Sequence, residues 1–409
     1  MEPSERGSNL AGRGSSSWML LTPGALYGLI RQHPDGLAKS EVVALTGLSR
    51  TAVSQRIDAL VAAGFLAPST SPPTASRGRP AERYIVNSEQ GVFLVADTGA
   101  TGMRTAVCSP TGSVLAEQYE PIDTMDGPTV VLDLINARFK SLIAAGGITG
   151  EEVLGIGISV PGPVAYDSGR VVSPPIMAGW HEYDIPGRFA PHFSCPVIVE
   201  NDANAMVYGE HRMVSPDVND LVFIKMGTGI GVGLMLGGQL QRGADGAAGD
   251  MGHTSVAVSD EGTPPLCRCG NVGCLEAYAG GWAILRDLTA AGIDVPSIDD
   301  LVLAVRGGNR TALQLVRAAA TTVAAAVAHL VNIVNPRVVV FGGQLAGLDE
   351  IILATVREVI YRHSHPLATR KLVITTSGVD DPGVLGLASL IADHVFAPDH
   401  IDQAINARP

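Results

Sequence analysis

Cysteine is scarce in this chain: five residues in 409. That excludes the disulfide-dense scaffolds of small secreted domains, which need several pairs to hold a short chain together. Charge is thin too. Only 17% of residues are Asp, Glu, Lys or Arg, against 46% apolar. Such a chain has ample material for cores, and its length suits two or three domains. The N-terminus lacks an apolar run ahead of a cleavage site. Residues 1–17 carry charges, glycines and serines, so a disordered leader is expected rather than a secretory one. The longest uncharged run is "AAATTVAAAVAHLVNIVN" at residues 318–335. It has the length of a membrane span, but His329, Asn332, Asn335 and two threonines interrupt it and Pro336 follows. It reads as a buried helix running into a strand, which implies no membrane partner and a cytoplasmic location.

What charge there is lies unevenly. Residues 1–90 hold nine basic and seven acidic side chains, and residues 91–409 hold 19 and 33. An acidic body repels nucleic acid over distance, and the first 90 residues do not. Any contact with DNA is therefore expected there.

That segment reads as three short helices. Pro23 suits a first helical turn, Gly47 a left-handed helix end, and Ser49 an N-cap. In the third helix Val53, Ile57, Leu60 and Val61 make one apolar stripe. Arg50, Thr51, Ser54, Gln55 and Arg56 lie mostly off the stripe near its N-terminal end, where a recognition helix presents side chains to base edges. "FLAPSTSPPTASRGRPAERYIVN" then reads as a strand, a tip and a returning strand, a wing whose Arg77, Arg79 and Arg83 would reach phosphate or the minor groove. The alternative is a small helical bundle with a solvated face.

From residue 92 the pattern becomes α/β. "GVFLVADTGATGMRTAV", "DLVFIKMGTGIGVGLML" and "PRVVVFGGQLA" each place a glycine turn after an apolar strand. Three such turns suggest a nucleotide cradle or its relic, with Asp97, Gly99, Thr101, Gly227, Thr228, Gly229, Gly342 and Gly343 as its residues. In "CPVIVENDANAMVYGE" an apolar strand ends in Glu200, Asn201 and Asp202 ahead of a helix. Asp202 is placed either to act as a general base on a hydroxyl or to cap that helix.

Three of the five cysteines fall in "CRCGNVGC", residues 267–274. With His253 upstream, Cys267, Cys269 and Cys274 supply one imidazole and three thiolates, a set that suits a closed, structural zinc site. The spacing differs from zinc-finger pairs, and three reduced thiols are the alternative.

The motifs "GISVPGPV", "ENDANA", "GTGIGVG", "GDMGH", "CRCGNVGCLE" and "VVVFGG", in that order, resemble the ROK family, which groups sugar kinases with transcriptional repressors. The resemblance runs from residue 92 to about 395, and the first 90 residues resemble the winged helix-turn-helix of the family's repressors. It implies two actin-like or ribonuclease-H-like lobes: residues 91–212, completed by a C-terminal helix near 384–398, and residues 213–383 with the zinc loop, preceded by a leader (1–17) and a DNA-binding domain (18–90). It implies structural Zn2+ on His253, Cys267, Cys269 and Cys274. It also implies sugar hydroxyls held by Asn201, Asp202, Asp250, His253 and Glu276, with Asp202 the base if the protein is a kinase.

Three departures bear on function. Ala100 stands in the first glycine turn where kinases of the family have Gly, with Gly102 following where a Lys is common, which weakens the case for ATP. Asp250 replaces the usual Glu and is shorter by about 1.5 Å. Ile176 stands in "PPIMAGW" where the family often has Asn. The expected function is a sugar-responsive, homo-oligomeric repressor, dimer or tetramer, on a double-stranded DNA operator. The alternatives are a sugar kinase with a DNA-binding head, and a zinc-stabilised scaffold that binds neither.

Overall fold

The structure, a computed structural model, describes residues 22–69, 82–256 and 263–407. Its contacts divide the chain into two units, Met1–Gln90 with Ala392–Pro409, and Gly91–Ile391.

In the smaller unit Thr22 caps the helix Pro23–Arg31 by accepting from the Ala25 N–H at 3.2 Å. The helix Lys39–Thr46 closes at Gly47, whose φ of 71° is left-handed. Ser49 caps the helix Arg50–Ala62, accepting from the Ala52 N–H at 3.2 Å. Val53, Ile57 and Leu60 of its apolar stripe are fully buried, and Val61 is half-buried. An antiparallel sheet in the order Leu37–Ala38, Arg83–Val86, Leu66–Pro68 completes this part. The tip between the last two strands, with Arg77 and Arg79, lies outside the described residues.

The end of the chain returns to this unit. The helix Pro398–Asn406 packs on Pro23–Arg31. The Gly24 N–H donates to Asp402 Oδ1 at 2.8 Å, and Arg31 pairs with Asp393 at 2.6 Å. Phe396 sits against Tyr27 and Phe65, at centroid distances of 5.3 and 6.4 Å. Residues more than 360 apart in sequence therefore share one core. Nothing in the local pattern signals this partnership.

The larger unit holds two five-stranded sheets of one topology. The first runs in the order Val197–Asn201, Val153–Val160, Val92–Thr98, Gly102–Cys108, Val114–Pro121. The second runs Gln239–Leu240, Ile230–Leu236, Leu221–Met226, Val338–Gly342, Val373–Thr376. In each, the first strand in sequence starts an antiparallel meander and pairs in parallel, on its other side, with a later strand. The hairpin turns 99–101 and 227–229 occupy equivalent places.

Two helices cross between the sheets. Asp202–Met213 lays Val207 into a core with Leu221, Phe223 and Met235 of the second sheet. Leu387 and Ile391, on the helix Pro382–Val395, pack over Gly157 of the first. A boundary at 212/213 therefore parts the first helix from the sheet it packs on. The helix Pro382–Val395 packs on the first sheet through Leu387 and Ile391, and its residues from Ala392 belong to the smaller unit. The two helices touch backbone to backbone. A Cβ on Gly386 would lie 1.8 Å from the Ala205 carbonyl oxygen, and one on Gly209 2.0 Å from that of Pro382. Only glycine permits this approach.

The long apolar segment is the helix Arg310–Val334, ended by Asn335 at a left-handed φ of 52°. It is long and apolar enough to cross a membrane. Its stripe of Val316, Val323, Val327 and Val331 is buried in the core of the second sheet, and the strand Val338–Gly342 follows, as the sequence suggests.

Candidate ligand cleft and metal cluster

A cavity of about 220 Å³ opens in the larger unit, where the strand ends of the two sheets meet. Asn201, Asp202, Asp250, His253 and Glu276, the five residues expected at a sugar, all line it. So do Asp97, Gly99, Thr101, Gly227, Thr228, Gly229 and Gly343 of the nucleotide set. Gly342 does not. It ends a buried strand, and a Cβ there would lie 2.2 Å from the Phe223 ring. Its glycine serves packing rather than a ligand.

The strand Val197–Asn201 and the helix start that follows it deliver Asn201 and Asp202. Asn201, not Asp202, is the N-cap of the following helix, accepting from the Asn204 N–H at 3.1 Å, while its amide donates to the Gly162 carbonyl at 3.2 Å. Capping is thereby assigned to the neighbour, and Asp202 is left as the first helical residue. Its Oδ1 accepts from the Ala203 N–H at 2.7 Å, and its Oδ2 is ion-paired with Lys225. Lys225 was not among the residues singled out from the sequence. The signal was there: it is the single charge in the strand "LVFIKM".

Asp97 is the last residue but one of the central strand of the first sheet and accepts from Ser159 Oγ. Burial raises its carboxyl above the usual value, against the Ser159 hydrogen bond and the Lys225 charge, with Asp202 and Asp381 adding to the rise. The turn beyond it is closed by the Gly99 N–H on the Gly102 carbonyl at 2.8 Å, and by Thr124, whose N–H reaches the Ala100 carbonyl at 3.2 Å. Ile176 lines the same wall.

The second turn has a different support. The Gly227 and Thr228 carbonyls accept from Gly281 and Trp282 N–H at 3.0 and 3.1 Å. Glu276 Oε2 accepts from the Ile230 N–H at 3.1 Å, and Oε1 from Trp282 Nε1 at 3.0 Å. A Cβ on Gly229 would meet Glu276 Oε2 at 2.2 Å, so glycine is needed for the carboxylate to reach the turn. Each oxygen keeps a lone pair for a hydroxyl in the cavity.

Glu200, buried to 1% exposure, is also engaged. It accepts from the Asn201 N–H, Asn204 Nδ2 and Arg242 Nε at 3.0, 3.0 and 2.7 Å. The Arg242 guanidinium lies 3.7 Å from the Tyr166 ring centroid. Arg242 thus ties the loop that carries Asp250 to the first sheet. Sequence reading placed Glu200 at a strand end and missed this contact, because Arg242 is 42 residues away.

Beside Glu276 the ligating atoms of His253, Cys267, Cys269 and Cys274 lie within 4.8 Å of one another. Cys267 Sγ is 3.6 Å from His253 Nδ1, and Cys269 Sγ 3.6 Å from Cys274 Sγ. A tetrahedron with Zn–S bonds of about 2.3 Å has ligand–ligand edges of about 3.8 Å, so the cluster has the size of a metal site. Burial pushes the Cys274 thiol up to about 12 and raises Cys267. Three neighbouring thiolates repel one another, and a divalent cation is what lets them ionise together. All five cysteines are free, and one loop brings three of them into the cluster.

In the smaller unit Arg50, Thr51 and Gln55 are exposed along the third helix. Ser54 accepts from Lys39 Nζ at 2.9 Å and donates to Asp58 at 3.2 Å, and Arg56 donates to the Ala52 carbonyl at 2.9 Å. Arg83 departs from the expected wing contact. It donates to the Asp35 and Gly36 carbonyls at 3.0 and 2.6 Å and pairs with Glu41. It holds the first strand in place rather than reaching outward.

The sequence pattern of the ROK family matches residues 94–394. A putative xylose repressor of Caldicellulosiruptor sp. (strain Rt8B.4) is 28% identical over 381 residues, covering 89% of this chain and 94% of that protein. A glucokinase of Thermotoga maritima is 30% identical over 319 residues, covering 74% of this chain and 98% of its own. Among solved structures, a ROK family transcriptional regulator, homolog of the E. coli MLC protein, matches with a TM-score of 0.77 at 24% identity, over 95% of this chain and 99% of that one. A ROK family glucokinase from Streptomyces griseus, in complex with glucose and AMPPNP, matches with a TM-score of 0.62 at 27% identity, over 73% and 99%.

Proposed function

The chain belongs to the ROK family, and from that premise we propose that it is a sugar-responsive transcriptional repressor. One observation carries this reading over a kinase. The repressor relative aligns with 89% of this chain, whereas the glucokinase aligns with 74% while nearly exhausting its own length. What the kinase lacks is about the length of the first 90 residues, the part with a net positive charge.

In this reading the smaller unit is a winged helix-turn-helix. Arg50, Thr51 and Gln55 face the major groove, with Ser54 and Arg56 behind them, and Arg77 and Arg79 reach the backbone or the minor groove. Affinity then comes from phosphate contacts and falls with salt. The protein acts as a homo-oligomer on paired half-sites, in the cytoplasm, with no membrane partner.

The effector is a sugar or sugar derivative in the cavity. Asn201, Asp202, Asp250, His253 and Glu276 offer donors and acceptors around a pyranose rim, which presents both. Zinc on His253, Cys267, Cys269 and Cys274 is structural: four protein ligands leave no open position. Metal on Nδ1 leaves Nε2 of His253 for a hydroxyl and fixes its tautomer. The kinase reading rests on the intact "GTGIGVG" turn, and the Asp202–Lys225 ion pair weighs against it.

The test is fluorescence anisotropy of the full-length protein on DNA upstream of its own coding region. A panel including D-xylose and D-glucose would be added at fixed salt. Binding that one sugar changes by about tenfold, or 1.4 kcal/mol, is the expected result. Binding no tighter than to random DNA, with sugar phosphorylation by ATP, would establish the kinase instead.

A further inference from the structure

Four carboxylates line the cavity, those of Asp97, Asp202, Asp250 and Glu276. Among the described residues the lining has a single Lys or Arg, Lys225. Its side chain is 17% exposed and that of Asp202 6%. Its charge also acts on the half-buried Asp97. A buried carboxylate without a partner is costly, so positive charge is needed between these strand ends. In phosphoryl-transfer clefts that charge is a divalent cation, which arrives with the nucleotide and bridges its phosphates.

We propose that Lys225 is the fixed counter-ion of this cleft. It takes the place a divalent cation would occupy beside Asp202 and Asp97, so that the cleft admits a neutral sugar and rejects a Mg2+-nucleotide. This rests on the sugar-responsive reading above and adds the residue that sets the ligand class.

The geometry supports it in three ways. Asp202 Oδ2 is held by the ammonium and Oδ1 by the Ala203 N–H, so both oxygens are already engaged and the carboxylate is left to accept a further hydrogen bond from a sugar hydroxyl. With Lys225 committed to Asp202, no other Lys or Arg of the described lining meets a triphosphate, and the remaining carboxylates repel one. Lys225 also precedes the second glycine turn by two residues. A Cβ on Gly227 would lie 3.8 Å from Lys225 Cε, so the side chain runs along that turn on its way to Asp202.

The test uses the full-length, zinc-loaded protein with Mn2+ as the probe, read by electron paramagnetic resonance. The thiolate-rich cluster is too soft a site to take up Mn2+. The wild type is expected to show no Mn2+ site that depends on Asp202. Lys225→Met leaves Asp202 and Asp97 uncompensated and is expected to bind one Mn2+ per chain about tenfold more tightly or better. Lys225→Arg keeps the charge and should behave as wild type. Adding Asp202→Asn to Lys225→Met should remove the new site. Lys225→Gln replaces Lys225→Met if the latter fails to fold, with zinc content and circular dichroism as the check. A wild-type Mn2+ site lost in Asp202→Asn would overturn the proposal. So would a folded Lys225→Met or Lys225→Gln chain that binds Mn2+ no better than wild type. Neither readout involves DNA or sugar, so failure here is distinct from failure of the repressor reading.

Discussion

The two sheets of the larger unit share one topology but close their first hairpins in different ways. The turn of the first, residues 99–101, is held by its own backbone and by Thr124. The turn of the second, residues 227–229, is held from behind by Glu276, Trp282 and the helix Gly281–Ala290. Those supports in turn lean on the loop that carries the cysteine cluster. Arg268, between two of its cysteines, stacks on Trp282 at 4.7 Å from the ring centroid. The difference teaches that a repeated fold need not repeat its function. The first turn is closed mainly by its own hairpin and Thr124 and carries Ala100. The second leans on residues next to the cysteine loop and carries glycine at 227 and 229.

The comparison can be broken most forcefully at the cluster. Cys274→Ser removes one of the four side chains proposed to hold zinc. Stability of the larger unit should fall by more than about 3 kcal/mol, with zinc content falling in parallel. Hydrogen exchange should show the loss at 227–236 and leave 92–108 nearly as in wild type. Equal loss in both hairpins would mean that the second turn does not depend on the cluster.

A smaller effect is expected where the sheets are joined. Gly386→Ala forces a methyl group onto the Ala205 carbonyl and should cost about 1–3 kcal/mol in urea unfolding. This loss should be shared by both sheets, since the crossing helices belong one to each. An effect below about 0.5 kcal/mol would show that the helices can shift apart freely.

The smallest effect is expected at the first turn. Asp97 has a raised carboxyl in the folded state. Its contribution is full below the unfolded value of about 3.9 and is lost as pH rises through the folded one. Asp97→Asn carries no such loss. Its stability relative to wild type should therefore climb as pH rises from 4 to 8. A relative stability that falls over that range would mean that Lys225 and Ser159 outweigh burial.

Much of this was legible residue by residue. The cysteine loop, the strand–turn–strand patterns and the capped helices are local, because ligand spacing, alternation and capping act within a few positions. Asn201, Asp202, Asp250, His253 and Glu276 were legible as a set from the ROK resemblance, and the structure lines one cavity with them. Arg83 was misread because its basic character was visible and its partners at residues 35, 36 and 41 were not. Gly342 was misread because a glycine cleared for the Phe223 ring looks in sequence like one cleared for phosphate.

The sequence by itself determined the elements, the three-cysteine loop and the uneven charge, since each follows from composition or from neighbours within about a dozen residues. Tertiary structure alone decided three things. It placed Lys225 on Asp202 and Arg242 on Glu200, and it returned the last residues to the core of the N-terminal unit. The reason is physical. A buried charge has to find its opposite wherever the fold brings one, and an apolar helix face has to be covered by whatever chain arrives; neither demand specifies a distance along the sequence.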